Sequence, residues 1–258
     1  MTKTGGGSPS MRAARAVIAA SVIGVLAASG AQAAPTGDAS LPELAYLKQV
    51  NEWRPPSDPQ LLFLLMARFA NAGRQAEGIE FFEALLKRFD AQLDDRQRAL
   101  YLTALASLRA GHANDVPIYR RIAWVRDTVK MLDDADRLSG GGIFITHWMS
   151  GVVRSRLPGF FGERDNAVRE LQWCEANAGR AADPGWMREV YLQLAALHRA
   201  RGGEEAARRY QAMSGLAPGA KPVIFTTPFS EDPITGHAFS ARRIREVVPG
   251  TVYVLSGY

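Results

Sequence analysis

The chain has 258 residues, of which 47% are hydrophobic and 22% charged, and this composition excludes a fibrous or wholly disordered protein. The formal net charge is +5, but Lys3, Arg12 and Arg15 lie in the first 33 residues, which contain no acid. The rest carries 28 of the 31 basic side chains against all 26 acidic ones, a net charge of +2. Binding of nucleic acid therefore has little support from charge, and we predict no nucleic-acid partner.

Residues 1–33 have the order of a secretory signal peptide. Arg12 and Arg15 precede an uncharged run from Ala16 to Ala28, and the small residues of Ala31-Gln32-Ala33 follow. This run of 13 residues is too short for a membrane anchor, which needs roughly 18 apolar residues. We predict cleavage after Ala33, export across the inner membrane to the periplasm, and no stable membrane anchor afterwards.

Composition and the positions of prolines and glycines divide the chain into four parts. Residues 1–33 are the signal peptide, and residues 34–56 are an N-terminal arm with a short helical stretch near its end. Residues 57–217 are a predicted helical-repeat domain, and residues 218–258 change to a β-type pattern. The predicted fold class is all-α, a tetratricopeptide-like helical-repeat solenoid with a short β-type C-terminal segment.

The first helix pair starts at Asp58 and Pro59, because aspartate caps free backbone N–H groups and proline has none to cap. The first helix is predicted to run to Gly73, and the second from residue 74 to residue 90. Apolar residues recur at helical spacing along both: Leu61, Leu62, Leu65, Met66, Phe69, Ile79, Phe82 and Leu86.

Four residues of this pair resemble the tetratricopeptide repeat. Small residues at Ala67 and Gly78 allow two helices to approach, Gly73 accepts the left-handed turn, and Phe82 fills the space between neighbouring pairs. The same pattern returns in a degenerate form after Asp183-Pro184, in a helix with Val190, Leu194 and Leu197 and in its partner. It uses Ala195, Gly202, Ala206, Tyr210 and Pro218.

The segments between these pairs are also predicted to be helical. Asp94 caps a helix that ends before Gly111, and a charged helix follows Pro117. The buried side of that charged helix is predicted to be Ile122, Val125, Val129 and Leu132. Two further helices, 143–157 and 166–177, complete four to five pairs, which would form a solenoid with a concave face suited to a protein or peptide partner.

The C-terminal part contains two runs with strand character. Val223 to Thr227 and Thr251 to Leu255 are rich in β-branched and aromatic residues, and turn-forming prolines and glycines lie between them. Two strands alone bury little surface, so we expect this segment to need further strands for cover.

The candidate chemical groups do not form a catalytic or metal motif. His112, His147, His198 and His237 lack any spacing that would place two of them on one metal ion. Cys174 is the only cysteine, which excludes an intramolecular disulfide, and its apolar helical context predicts a buried thiol. The run Ser139-Gly140-Gly141-Gly142 lacks both the lysine and the preceding strand of a phosphate-binding loop, which favours a flexible connector. We therefore predict no catalytic, cofactor-binding or metal-binding residues.

Two groups have both a binding and a structural interpretation. Arg242, Arg243 and Arg245 either bind an anion or a partner's carboxylates, or lie on a solvated surface. Trp148, Phe160 and Phe161 either form an exposed recognition edge or fill the gap between helix pairs, and packing is the simpler interpretation.

The ending from Arg245 to Gly257, with Pro249-Gly250 before an apolar run, resembles the opening strand of metallo-β-lactamase-fold hydrolases. The longer stretch from residue 41 resembles the helical N-terminal region of exported proteins that carry such a domain. The resemblance implies a metal-dependent hydrolase for the full-length family, but its His-x-His-x-Asp-His motif does not occur here. No role is carried over to any residue, and whether the protein is an enzyme stays open.

Two hypotheses follow. In the first, the chain is the non-catalytic helical part of such a hydrolase protein, ends as the hydrolase fold begins, and acts by binding protein or peptide. In the second, it is a complete cell-envelope scaffold or adaptor without enzymatic ancestry. A continuing reading frame with the metal motif downstream of Tyr258 would distinguish them.

Overall fold

The computed structural model describes residue 48, residues 51–52, residues 59–181 and residues 184–217. The signal peptide, nearly all of the N-terminal arm, the two strand-like runs and the predicted caps at Asp58 and Asp183 lie outside these residues. Those assignments stay predictions.

The described residues form eight α-helices and no strands. The helices are α1 Pro59–Asn71, α2 Gln75–Phe89, α3 Asp95–His112, α4 Ile118–Ser139, α5 Phe144–Ser155, α6 Arg164–Ala176, α7 Pro184–Arg199 and α8 Glu204–Ser214. Two short 3-10 turns lie at Gly159–Phe161 and Ala178–Arg180. The predicted helical character of this region is confirmed, and none of these helices has both the length and the apolar character needed to cross a membrane.

The helix ends follow local chemistry. At the start of α3, the Gln97 amide donates to Asp94 Oδ1 at 2.7 Å, and the Asp94 amide donates to Gln97 Oε1 at 3.1 Å. This reciprocal cap confirms Asp94 as the helix start. The predicted end before Gly111 is wrong, because α3 continues through that glycine to His112.

The odd-numbered helices form a continuous row in which α1 contacts α3, α3 contacts α5, and α5 contacts α7. Each even-numbered helix from α2 to α6 packs between the odd-numbered helices that precede and follow it in the chain, and α8 packs on α7. Buried hydroxyls join the row at one point, where Thr103 Oγ1 of α3 lies 3.1 Å from Thr146 Oγ1 of α5. The largest apolar cluster runs through most of the helices.

Close helix approach explains the glycine at position 78. A Cβ atom there would lie 2.9 Å from Phe69 and 3.0 Å from Leu108, so only glycine fits between α1 and α3. The predicted packing aromatics Phe82 and Tyr210 are both buried, as is Leu65. Gly78, Phe82 and Tyr210 are thus packing positions, as predicted, whereas the predicted small residue Ala206 is only partly buried and its neighbour Ala207 is buried instead.

The predicted orientation of α4 is partly wrong. Val125 and Leu132 are buried as expected, but Ile122 is 45% exposed, and Thr128 is buried instead. The cause is polar: Trp124 Nε1 donates to the Arg109 carbonyl at 2.8 Å, and the Arg109 guanidinium lies 3.7 Å above the Trp124 ring. These contacts with α3 turn Ile122 toward solvent.

We expect Gly151→Ala to lower the free energy of unfolding by about 1–3 kcal/mol, because the new Cβ atom would lie only 2.6 Å from Leu171 of α6. The clash outweighs the gain of about 1 kcal/mol in helix propensity. Gly179→Ala is the matched control, since a Cβ atom at that position would have no neighbouring atom within 4 Å. Urea unfolding measures both, and equal stabilities would contradict the close approach of α5 and α6.

Candidate functional site

A groove opens between the outer face of α4 and the 3-10 turn that follows α5. It has a volume of about 300 Å³ and is lined by Ile122, Arg126, Val129, Lys130, Asp133, Phe160, Phe161 and Glu163. The five α4 residues lie on one face because their spacing matches the helical period. We call this concavity the α4 groove.

The aromatic wall of the α4 groove is held in a defined geometry. Phe160 is 53% exposed, whereas Phe161 is partly buried against the apolar cluster of Ala113, Val125 and Leu157. The two rings lie 4.5 Å apart. Gly162 ends the turn with a φ of +74°, a backbone conformation that favours glycine. Phe161 therefore anchors the turn, and Phe160 is presented to solvent.

The exposed apolar surface continues past the groove along α4. Ile118 and Tyr119, in the first turn, are 51% and 77% exposed, and Ile122 lies one turn further on. The sequence left open whether Trp148, Phe160 and Phe161 form a recognition edge or fill a gap. Trp148 is buried and stacks on Trp186 at 5.1 Å, so it belongs to the core.

Arg154 of α5 binds both acidic residues of the α4 groove from the protein interior. Its guanidinium is 3% exposed and forms ion pairs with Asp133 of α4 and Glu163 at the start of α6. Arg154 Nε also donates to Ser150 Oγ at 2.9 Å, and Asn166 Nδ2 donates to Glu163 at 2.8 Å. One buried cation thus joins the two walls of the groove.

The basic residues of the groove have no such partners. Neither Arg126 nor Lys130 forms an ion pair with any residue of the described part of the chain. They are four residues apart on one helix face, where like charges repel each other. The groove therefore presents two available cations beside its apolar surface.

His147 makes a second link between α4 and α6, two turns before Arg154. Its Nδ1 lies 2.6 Å from Glu170 Oε2, and its Nε2 lies 3.0 Å from the Gly141 carbonyl and 3.3 Å from Asp136 Oδ1. Glu170 and the Gly141 carbonyl are within hydrogen-bond distance of the two ring nitrogens, and Asp136 Oδ1 lies within ion-pair distance, so the geometry suits the doubly protonated ring. The ring also stacks on Trp173 at 3.8 Å.

Burial lowers the pKa of His147, but the hydrogen bonds to Glu170 and Gly141 and the charges of Glu170 and Asp136 outweigh it and raise the pKa overall. Burial also raises the pKa of Asp136, with Glu170 and Asp133 acting in the same direction against His147 and Arg154. Both shifts favour a bound proton in the folded state. The predicted connector 139–142 is a turn whose Gly141 carbonyl belongs to this cluster.

The remaining candidates from the sequence lie apart from the α4 groove. Cys174 is fully buried, and burial raises the pKa of its thiol, which fits the predicted structural role. His112 pairs with Asp115 at 3.1 Å, and His198 stacks on Tyr210 at 5.3 Å. Within the described ranges, no group of three or more His, Cys, Asp or Glu side chains is arranged to hold a metal ion. His237 and the three arginines at 242, 243 and 245 lie outside these ranges.

We expect His147→Gln to lower the free energy of unfolding by about 1–3 kcal/mol at pH 6, because it removes the cation from the partly buried Glu170 and from the more exposed Asp136. The folded-state pKa of His147 is raised, so its stabilisation is fully present below about pH 6.5, the ordinary histidine value, and is lost as pH rises through the folded-state pKa. Urea unfolding between pH 6 and pH 9 should therefore show falling stability in the wild type and a flatter profile in the variant.

The matched control is His112→Gln, whose ion-pair partner Asp115 is exposed, so we expect a small change at both pH values. A wild-type profile that rises across this range, or one that His147→Gln leaves unchanged, would contradict the assignment of a charged His147.

Comparison with protein-family models, curated proteins and solved structures finds no match to this chain.

Proposed function

We propose that this protein binds a protein or peptide partner through the α4 groove. The observation that carries the proposal is the exposed Phe160 ring, held on a short turn opposite the apolar side chains of Ile122 and Val129. Aromatic residues in concave, apolar surroundings are typical anchors of protein recognition.

The rigidity of the aromatic wall supports this function. Phe161 packs into the apolar cluster at the end of α5, and backbone bonds from Phe161 to Pro158 and from Gly162 to Gly159, of 3.0 and 3.1 Å, close the turn. A partner would therefore meet a surface that is already ordered, and binding would cost less conformational entropy. The contiguous exposed apolar residues of α4 also favour an interaction surface.

We propose that the helix pairs are tetratricopeptide-like repeats arranged as a solenoid. Support comes from the row of odd-numbered helices, from the turn glycines Gly73 and Gly202, and from the buried aromatic residues Phe82 and Tyr210. Gly202, like Gly73, has a positive φ at the turn between paired helices. The sequence predicted binding on the concave face of a solenoid. The groove that we propose as the binding site lies instead on the outer face of α4, an even-numbered helix.

The cellular setting proposed for this binding protein is the periplasm, reached by way of the signal peptide at residues 1–33. The relation to exported metallo-β-lactamase-fold proteins rests on the ending from Arg245 to Gly257. N-terminal sequencing of exported protein tests the first proposal, and a downstream reading frame with the zinc motif tests the second. Retention of Met1 or Met11 on the mature protein would contradict export.

We expect Phe160→Ser to weaken binding of selected peptides at least tenfold, because it removes the exposed aromatic anchor without opening the core. Peptides would be selected from a phage-displayed random library on the full-length chain, and their affinities measured by fluorescence anisotropy. Unfolding curves of the variant should match the wild type, since more than half of the Phe160 side chain is already exposed.

Met213→Ser is the matched control, because Met213 is an exposed large apolar residue on α8, outside the groove. It should leave peptide affinity unchanged. Selected peptides that bind Phe160→Ser as tightly as the wild type would refute binding through the α4 groove.

A further inference from the structure

We infer that the segment bound in the α4 groove carries acidic residues beside one or two large apolar side chains. This inference rests on the proposed function and names the chemistry of the partner. It follows from an imbalance in the groove: within the described residues, both acids are paired with one buried arginine, whereas neither base has an acidic partner.

Arg154 alone provides the pairing of the two acids within the described residues. Its guanidinium reaches Asp133 and Glu163 from beneath the groove, so those carboxylates already have a cationic partner and a fixed orientation. A basic ligand would have to compete with a buried arginine for them. Ligand lysines or arginines are therefore disfavoured at this end of the groove.

Arg126 and Lys130 differ from the two acids, because their charges are not paired within the described residues. They lie one turn apart on the groove face of α4, and within the described residues neither has an acidic partner. Their mutual repulsion would be relieved by a carboxylate placed between them. A ligand carboxylate can meet both cations while its neighbouring side chain contacts Val129.

The spacing along α4 defines the ligand further. Ile122 precedes Arg126 by four residues and Lys130 by eight, which corresponds to about 6 Å and 12 Å along the helix axis. A cavity of about 300 Å³ is at the lower limit for small-molecule sites and matches one or two large side chains. The apolar group would lie between Ile122 and Phe160, with the carboxylates further along α4.

A nucleic acid fits this surface less well. Tracking a phosphate backbone needs a groove with a continuous positive charge, whereas here two cations stand beside Asp133 and Glu163. The peptide is therefore the partner we propose.

The test uses three fluorescein-labelled 12-residue peptides and the full-length chain. The first probe has leucine at helical spacing with glutamate at the flanking positions. The second replaces every glutamate by lysine, and the third replaces every leucine by serine. Fluorescence anisotropy should show that the Leu/Glu probe binds at least tenfold more tightly than either of the others, and that added salt weakens it.

Arg126→Glu combined with Lys130→Glu should reverse the preference, so that the Leu/Lys probe binds more tightly than the Leu/Glu probe. The matched control is Lys87→Glu combined with Arg96→Glu, which changes the net charge equally at exposed positions on α2 and α3 and should leave both affinities unchanged. Circular dichroism melts of both double variants should match the wild type.

The outcomes separate the two proposals. If Phe160→Ser abolishes binding but the wild type prefers neither charge, the inference about acidic residues fails and the α4 groove remains a binding site.

Absence of Leu/Glu binding up to about 1 mM also overturns the inference. So does a salt-sensitive affinity for oligo-dT that disappears in the Arg126/Lys130 variant, which would indicate a nucleic acid. A dimer in sedimentation that Phe160→Ser dissociates would instead assign the groove to a second copy of the chain.

Discussion

The buried guanidinium of Arg154 is the constraint on which the geometry of the groove depends. It lies on α5 and pairs with Asp133 of α4 and Glu163 at the start of α6, so one side chain fixes three elements relative to one another. His147 repeats the arrangement two turns earlier with Asp136 and Glu170. The order of the pairs is reversed on both neighbours, as antiparallel packing of α4 and α6 against α5 requires.

This arrangement depends on the close approach of α5 and α6. Gly151 lies between His147 and Arg154 on the same face of α5, and the side chain of Leu171 occupies the space that a Cβ atom would need. A larger residue would push α6 outward and move Glu163 and Glu170 away from their cations. Packing and electrostatics therefore support the same geometry, and neither can be changed independently of the other.

Buried ion pairs are weak sources of net stability, because desolvation of both charges opposes their attraction. Their contribution here is to geometry. An apolar residue at position 154 would make no directional bond to Asp133 and would not select one rotation of α4 about its axis. Together with the contact between Arg109 and Trp124, the guanidinium favours the rotation that brings Asp133 toward α5, and the face of α4 from Ile122 to Lys130 is then the wall of the groove.

The positions of the helices could be predicted from the sequence, whereas the groove could not. Helix starts such as Asp94 and packing positions such as Gly78 and Phe82 depend on neighbours within a few turns, and their spacing is visible in the chain. The rotation of α4 depends on Arg109 and Trp124, which meet across two helices, and an apolar pattern that includes Ile122 gives no sign of that contact. A polar residue at Thr128, within the buried stripe, was the available signal.

The same limit explains why the sequence alone could not distinguish the buried aromatic residue from the exposed one. Trp148 and Phe160 are both large, apolar and close to a helix end, so hydrophobicity alone assigns them the same role. Trp148 is buried because α7 brings Trp186 over it, a contact between residues 38 apart in the chain. Phe160 is not covered by any helix of the described ranges, because the short turn ends at Gly162 before α6 begins. The exposure of this ring beside Arg126 and Lys130 is therefore a consequence of where α6 starts, and Glu163, the residue before that start, is held by its ion pair with Arg154.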